Sequence, residues 1–275
     1  MPGRTREAAG PLTPGRVRQG LSTRVMGREV VCFDTIDSTN KVLRQAAARG
    51  AVEGTVVIAN EQTGGRGRLN RTWVSPPGVG IYLSILLRPP GPPGPVHLFT
   101  FLPAVATARA LRHVSGLPVF IQWPNDVMLR GRKIAGILSE LRGAENRSRE
   151  VIIGIGINVN HTAADFPVGI RDSATSLALS SGRRFSRTAV VQCLLREMDQ
   201  GYALLHSPDP SPIVEEWRRL CPSHYGKPVV VGGRAAGVIR GTTRGIDTNG
   251  ALLVERANGG LERVSFGEVR RVRGG

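Results

Sequence analysis

Gly64-Gly65-Arg66-Gly67-Arg68-Leu69-Asn70-Arg71-Thr72-Trp73 places three glycines, three arginines and a tryptophan in ten consecutive positions. Glycine tolerates positive φ and lets a ligand come close to the main chain. A run of exposed N–H groups can then form an anion-binding concavity. Arg66, Arg68 and Arg71 add planar, permanently charged donors suited to carboxylate or phosphate. Trp73 adds a flat apolar face. The loop is shaped to hold an anion beside a ring system, as in an adenylate. Read alone, it fits a flexible basic surface loop equally well. Two nucleotide folds are excluded by the glycine spacing. No G-x-x-x-x-G-K-[ST] occurs, and Gly65-x-Gly67 and Gly154-x-Gly156 both lack the third glycine of a dinucleotide fingerprint.

Upstream, residues 29–34 predict a strand, and Asp37-Ser38-Thr39-Asn40 supplies N-cap residue types for a helix that stops at Gly50. Residues 55–59 predict a second strand that feeds the loop. Downstream, residues 80–87 are almost wholly apolar and predict a central strand. The proline-rich stretch 88–95 cannot lie inside a sheet. A long helix follows over 97–114. Residues 118–142 read as strand, turn, strand, with a hairpin at Arg130-Gly131-Arg132. Residues 150–159 are another apolar strand, whose internal glycines mark a close approach by a ligand or another segment. Helices are expected at 187–205 and 212–220. From Gly226 the chain turns to short strands with glycine turns, the pattern of a small β-barrel or sandwich.

The chain has 275 residues, of which 40% are hydrophobic, enough for one large domain or for one large and one small. Residues 1–28 are expected to be a disordered leader, and the change of texture near Cys221–Gly226 divides the rest into a large domain over 29–222 and a small C-terminal domain over 223–275. The first twenty residues have no apolar h-region, and no apolar run is long enough to span a membrane. Cys32, Cys193 and Cys221 are odd in number and far apart, which argues against disulfides or a zinc site and fits a reducing cytoplasm. The net charge of +16 points to an acidic partner, nucleic acid among them. The arginines, however, are spread along the whole chain, and no helix-turn-helix, RNP-type or zinc-finger pattern accompanies them, so compositional bias accounts for the charge. The five histidines show no metal-ligand spacing, and no Gly-x-Ser-x-Gly elbow occurs.

Several polar residues outside the loop are candidates for ligand contact. Ser38, Thr39 and Asn40 sit at a strand-to-helix turn, where capping uses at least one of them. Gln62 ends the next strand and offers both donor and acceptor. Trp123-Pro124-Asn125-Asp126 ends a strand with two polar side chains, which a turn alone would explain. Lys133, beside small Ala135 and Gly136, is either an exposed turn lysine or a positive charge aimed into a pocket. Asn158 follows the Gly154-Ile155-Gly156 strand.

The ordered set Asp37-Ser38-Thr39-Asn40, residues 61–73, Trp123-Pro124-Asn125-Asp126, residues 132–138 and Gly154-Ile155-Gly156-Ile157-Asn158 closely resembles the biotin protein ligase family. The resemblance runs from about Val30 to the C-terminus and includes Arg244-Gly245-Ile246-Asp247-x-x-Gly250-Ala251-Leu252-Leu253. It implies an α+β fold: a mixed β-sheet flanked by helices, of the class II synthetase-like biotin–lipoate ligase type, with a small SH3-like C-terminal barrel. It also implies a two-step reaction, in which ATP and biotin give biotinyl-5′-AMP in the presence of Mg²⁺, and the biotin then passes to a lysine of the biotin carboxyl carrier domain of acetyl-CoA or a related carboxylase. Carried over by motif, Lys133 and Arg68 are catalytic. Ser38, Thr39, Asn40, Gln62, Gly65, Arg66, Gly67, Arg68, Lys133 and Gly136 contact biotin. Arg68, Arg71, Trp73, Asn125, Asp126, Lys133 and Asn158 surround the adenylate. No metal ligand is assigned to a side chain. Gln122 departs from the family, many of whose members have lysine there. The resemblance further implies an enzyme-only, cytoplasmic form that binds neither DNA nor membrane and is compatible with a homodimer. The alternatives are a lipoate or octanoate ligase of the same fold, a basic nucleic-acid-binding module, and the biotin-accepting carrier itself. The lack of a Met-Lys-Met acceptor motif argues against the last.

Overall fold

The structure, a computed structural model, describes residues 10–89, 96–142, 150–233, 237–265 and 268–271. In chain order its elements are α1 (Pro14–Arg18), β1 (Val30–Ile36), α2 (Thr39–Ala48), β2 (Val56–Gln62), β3 (Gly80–Leu87), α3 (Leu98–Ser115), β4 (Val119–Gln122), β5 (Asp126–Leu129), β6 (Arg132–Arg142) and β7 (Glu150–Asn158). They continue with α4 (Leu177–Ser181), α5 (Arg187–Leu205), α6 (Ser211–Leu220), β8 (Tyr225–Gly233), β9 (Gly237–Ile246), β10 (Leu252–Glu255), β11 (Leu261–Val264) and β12 (Glu268–Arg271). The first nine residues and the core of the proline-rich stretch, 90–95, lie outside the described residues.

The first seven strands form one mixed sheet in the order β1-β2-β3-β7-β6-β5-β4. Only β1 and β2 run parallel, because α2 carries the chain back between them. The other pairings are antiparallel. Every residue of β3 is buried, as its apolar run implies. Both faces of the sheet are covered, so alternate side chains enter different cores. Val57, Leu86 and Ile152 pack under Leu43 and Ala47 of α2. Their neighbours Val56, Ile58, Ile85, Leu87, Val151 and Ile153 point to the opposite side, into the larger core built with α3, α5 and α6. α3 is buried around most of its circumference, as a helix enclosed by a sheet and two other helices must be.

The last five strands form a separate antiparallel sheet in the order β11-β10-β9-β8-β12. Trp123 ties the two sheets together by donating its indole N–H to the Gly250 carbonyl at 3.0 Å. No helix among the described residues is long and apolar enough to cross a membrane.

The expectation of a disordered leader over 1–28 is corrected from residue 10 onward. Val17 of α1 and Met26 are fully buried, and Leu12 nearly so. α5 provides the physical reason. The Asp199 carboxylate accepts the main-chain N–H groups of Arg24, Val25 and Met26 at 2.7–2.9 Å. Gln192 donates to the carbonyls of Arg16, Val17 and Gln19.

Candidate functional site

Three glycines on two neighbouring strands create the floor of a cavity. Gly136 of β6 and Gly156 of β7 are direct cross-strand partners. The indole of Trp73 lies over both of them. A Cβ on Gly156 would come within 2.4 Å of indole atoms, and one on Gly136 within 3.0 Å. Two positions along β7, a Cβ on Gly154 would meet the Asn40 amide at 2.2 Å. The glycines read from sequence as close-approach positions thus admit side chains from two other segments, at distances no residue with a Cβ permits.

The Gly/Arg loop is a short hairpin. Arg66 and Thr72 form a β-bridge, Gly67 N–H donates to Arg71 O at 2.7 Å, and Trp73 N–H donates to Gly65 O at 2.9 Å. Leu69 and Asn70 turn the tip at positive φ, 56° and 58°. Behind the tip, Arg68 Nη1 donates to Asn125 Oδ1 at 2.8 Å, and Asn125 Nδ2 donates to Ile137 O at 2.6 Å. Asn125 therefore couples the loop to β6.

At the other end, Gln62 does the capping expected of the Ser-Thr-Asn turn. Its Oε1 accepts from both the Thr39 N–H (2.9 Å) and Thr39 Oγ1 (3.1 Å), while Nε2 donates to Ser75 Oγ at 3.0 Å. Ser38 stands at the N-cap of α2 but makes no side-chain cap bond. Asn40 is committed to the protein: Ser84 Oγ donates to its Oδ1, and its Nδ2 donates to Glu140.

Lys133 is held by its main chain. Its N–H donates to Ser173 O and its carbonyl accepts from Thr175 N–H. Its ammonium pairs with Asp126 at 2.6 Å and lies 5.6 Å from the Trp73 ring centre, within reach of a cation–π attraction. Asn158 Nδ2 donates to Thr175 O, so the same three-residue segment, Ser173–Thr175, braces both.

These groups surround one cavity of about 260 Å³. Of the residues singled out from sequence, Ser38, Thr39, Asn40, Gln62, Arg66, Gly67, Arg68, Arg71, Trp73, Asn125, Asp126, Lys133, Gly136 and Asn158 line it. Gly65 does not. It is buried beneath the loop, where a Cβ would meet Trp73 O at 2.4 Å. Sequence reasoning missed Phe166, Ile170, Ser173 and Ala174, which form another wall. Their segment forms no strand or long helix, and its apolar residues Phe166, Val168 and Ile170 are broken up by Pro167 and Gly169, so nothing local marks a cavity wall. Four cationic side chains and one carboxylate, Asp126, line the cavity, so it favours an anion. Among the described residues no group of three or more His, Cys, Asp or Glu side chains could hold a metal ion.

A seven-stranded mixed sheet with a cavity lined by four cationic side chains under a glycine–arginine hairpin defines a class of ligases. The pattern of the Biotin/lipoate A/B protein ligase family matches residues 32–158, and that of the biotin protein ligase C-terminal domain matches residues 224–271. The bifunctional ligase/repressor BirA of Bacillus subtilis is 37% identical over 94% of this chain and 79% of its own. The biotin–[acetyl-CoA-carboxylase] ligase of Paracoccus denitrificans is 31% identical over 85% of this chain and 96% of its own. The solved biotin protein ligase from Aquifex aeolicus, in complex with biotin and ATP, superposes with a TM-score of 0.77 at 27% identity, covering 89% of this chain and all of that one. This chain belongs to the biotin protein ligase family.

Proposed function

We propose that this protein activates biotin with ATP to biotinyl-5′-AMP and transfers the biotin to a lysine of a biotin carboxyl carrier domain, with acetyl-CoA carboxylase or a related carboxylase as acceptor. The observation that carries the reading is the convergence of Lys133, the three loop arginines, the Thr39–Gln62 pair and Trp73 on one cavity, in a chain of this family. In the first step a biotin carboxylate oxygen bonds to the α-phosphorus and pyrophosphate leaves. Two anions must meet, so positive charge has to offset their repulsion. Lys133, Arg66, Arg68 and Arg71 supply it. The nucleophile is already deprotonated, and no general base is required. Bound Mg²⁺ would neutralise part of the phosphate charge. In the second step the acceptor amine attacks the acyl carbon and AMP leaves. That amine must lose a proton, and Asp126 is the carboxylate at hand. The paired glycines let Trp73 lie flat on the sheet and wall the space in which the adenylate would sit. The same fold serves lipoate, but relatives of 31% and 32% identity are named for biotin, which favours biotin here.

Replacing Lys133 tests the reading. With Lys133→Ala, pyrophosphate release dependent on both biotin and ATP should fall by about 100-fold or more, the scale of losing one preorganised charge. Unfolding should stay near wild type, because the side chain is about one-third exposed. Near-normal adenylate synthesis by this variant would remove Lys133 from the mechanism. Wild-type labelling of a carrier domain with lipoate but not biotin would overturn the substrate.

A further inference from the structure

We propose that His161 is a positioning residue, whose ring holds Phe166 in the cavity wall at the nucleotide end. The assignment of that end rests on the ligase reading; the ring geometry does not. Along β7, Asn158 lies roughly 13 Å beyond Gly154, against which Asn40 packs. The Thr39–Gln62 end takes the ureido ring on the ligase reading, which leaves the Asn158 end for the nucleotide. Phe166 lines the cavity yet belongs to no helix or strand, and it is only 4% exposed. What seats it is a stacked contact with His161: ring centres 5.2 Å apart and planes within 15°.

His161 is itself fixed. It is 1% exposed, Ser176 Oγ donates to its carbonyl, and its Nε2 lies 3.3 Å from Tyr82 Oη. The Tyr82 hydroxyl is also 2.9 Å from Pro76 O, to which it donates. With its one proton spent there, Nε2 carries the imidazole proton and Nδ1 is left as an acceptor. Nδ1 is buried and has no partner. Burial holds the imidazole neutral, its pKa lowered to about 4. Thr162 and Asp165 close a capping box between the two rings and fix their separation along the chain. Nδ1 of His161 is idle, and Nε2–H donates to a hydroxyl that keeps its own acceptor, Pro76 O, when the imidazole is removed. The contact with Phe166 uses the flat ring and neither nitrogen.

Three variants test this. His161→Ala removes the ring, and the KM for ATP should rise about tenfold, with the KM for biotin and kcat within about twofold of wild type. His161→Phe keeps the ring without the nitrogens and should restore the KM for ATP to within about twofold. Phe166→Ala should match His161→Ala, and the double variant should be no worse than either single one, since both remove one contact. Crystal structures of His161→Ala and His161→Phe give a readout that needs no activity: Phe166 should leave the wall in the first and stay in the second. An unchanged KM for ATP in His161→Ala, a His161→Phe as impaired as His161→Ala, or additive effects would each overturn the proposal. If His161→Ala does not fold, His161→Phe and Phe166→Ala carry the test. If wild type makes no biotinyl-AMP, the ligase reading falls, while the position of Phe166 in the two crystal structures still decides this one.

Discussion

At position 156 the absence of a side chain is what the site requires. Tryptophan needs a flat surface to lie on, and a β-sheet presents one only where facing residues lack a Cβ. Gly136 and Gly156, paired across β6 and β7, provide that surface. The distances rank the two positions. Gly156→Ala puts a methyl group 2.4 Å from the indole, so Trp73 must move; Gly136→Ala, at 3.0 Å, needs only a small adjustment. Gly156→Ala should therefore cut adenylate formation by about tenfold or more and cost about 1–3 kcal/mol of stability as an overpacked site. Gly136→Ala should do markedly less of both. Steady-state pyrophosphate release and denaturant unfolding of the two variants check the ranking. Equal effects, or a Gly156→Ala enzyme of normal activity, would show that Trp73 does not depend on the glycine floor.

The Gly/Arg hairpin, as an element, is fastened at its base by main-chain bonds and near its tip by the Arg68–Asn125 hydrogen bond. Cutting the second fastening should free the tip without unfolding the base. Arg68→Gly should thus release more biotinyl-AMP into solution, by about tenfold, one charge-assisted hydrogen bond being worth ~1.5 kcal/mol or more. Non-enzymatic labelling of an added lysine-rich protein measures the release, and wild-type levels would refute the fastening. This hairpin was legible in the sequence as a ligand loop because its glycines and arginines are dense, and β3, β7 and α3 because their apolar runs are long. Residues 160–176 were not legible. Their short 3₁₀ turns have no period, and what seats Phe166 is a histidine five positions away that carries no motif. The family motif puts Asn40 against biotin, and it lines the cavity; its amide also bonds Ser84 and Glu140, the latter a hundred residues along the chain, a pairing that no local pattern reveals.

At the scale of the whole molecule, the first described residues act as a strap. Residues 1–28 are rich in glycine, proline and charge, which by composition alone suggests disorder. Composition fails here because the partner groups lie on α5, about 175 positions later. One carboxylate there receives three consecutive main-chain N–H groups. The strap ends against β2: Gly27 N–H donates to Gly54 O, just before the strand that terminates in Gln62. Strap and site thus share a strand. Asp199→Ala would leave three N–H groups without their acceptor and should cost about 2–4 kcal/mol, the range for hydrogen bonds to a charged group discounted for partial exposure. Removing residues 1–28 should cost more, because Leu12, Val17 and Met26 leave the core, each worth about 1.5–3 kcal/mol of burial. Denaturant unfolding gives both numbers. If the strap also sets the position of β2, the truncated protein should bind biotin more weakly in isothermal titration, whereas Asp199→Ala, which keeps the buried side chains, should bind it nearly as wild type. A truncated protein with full stability would mean that the segment only rests on α5.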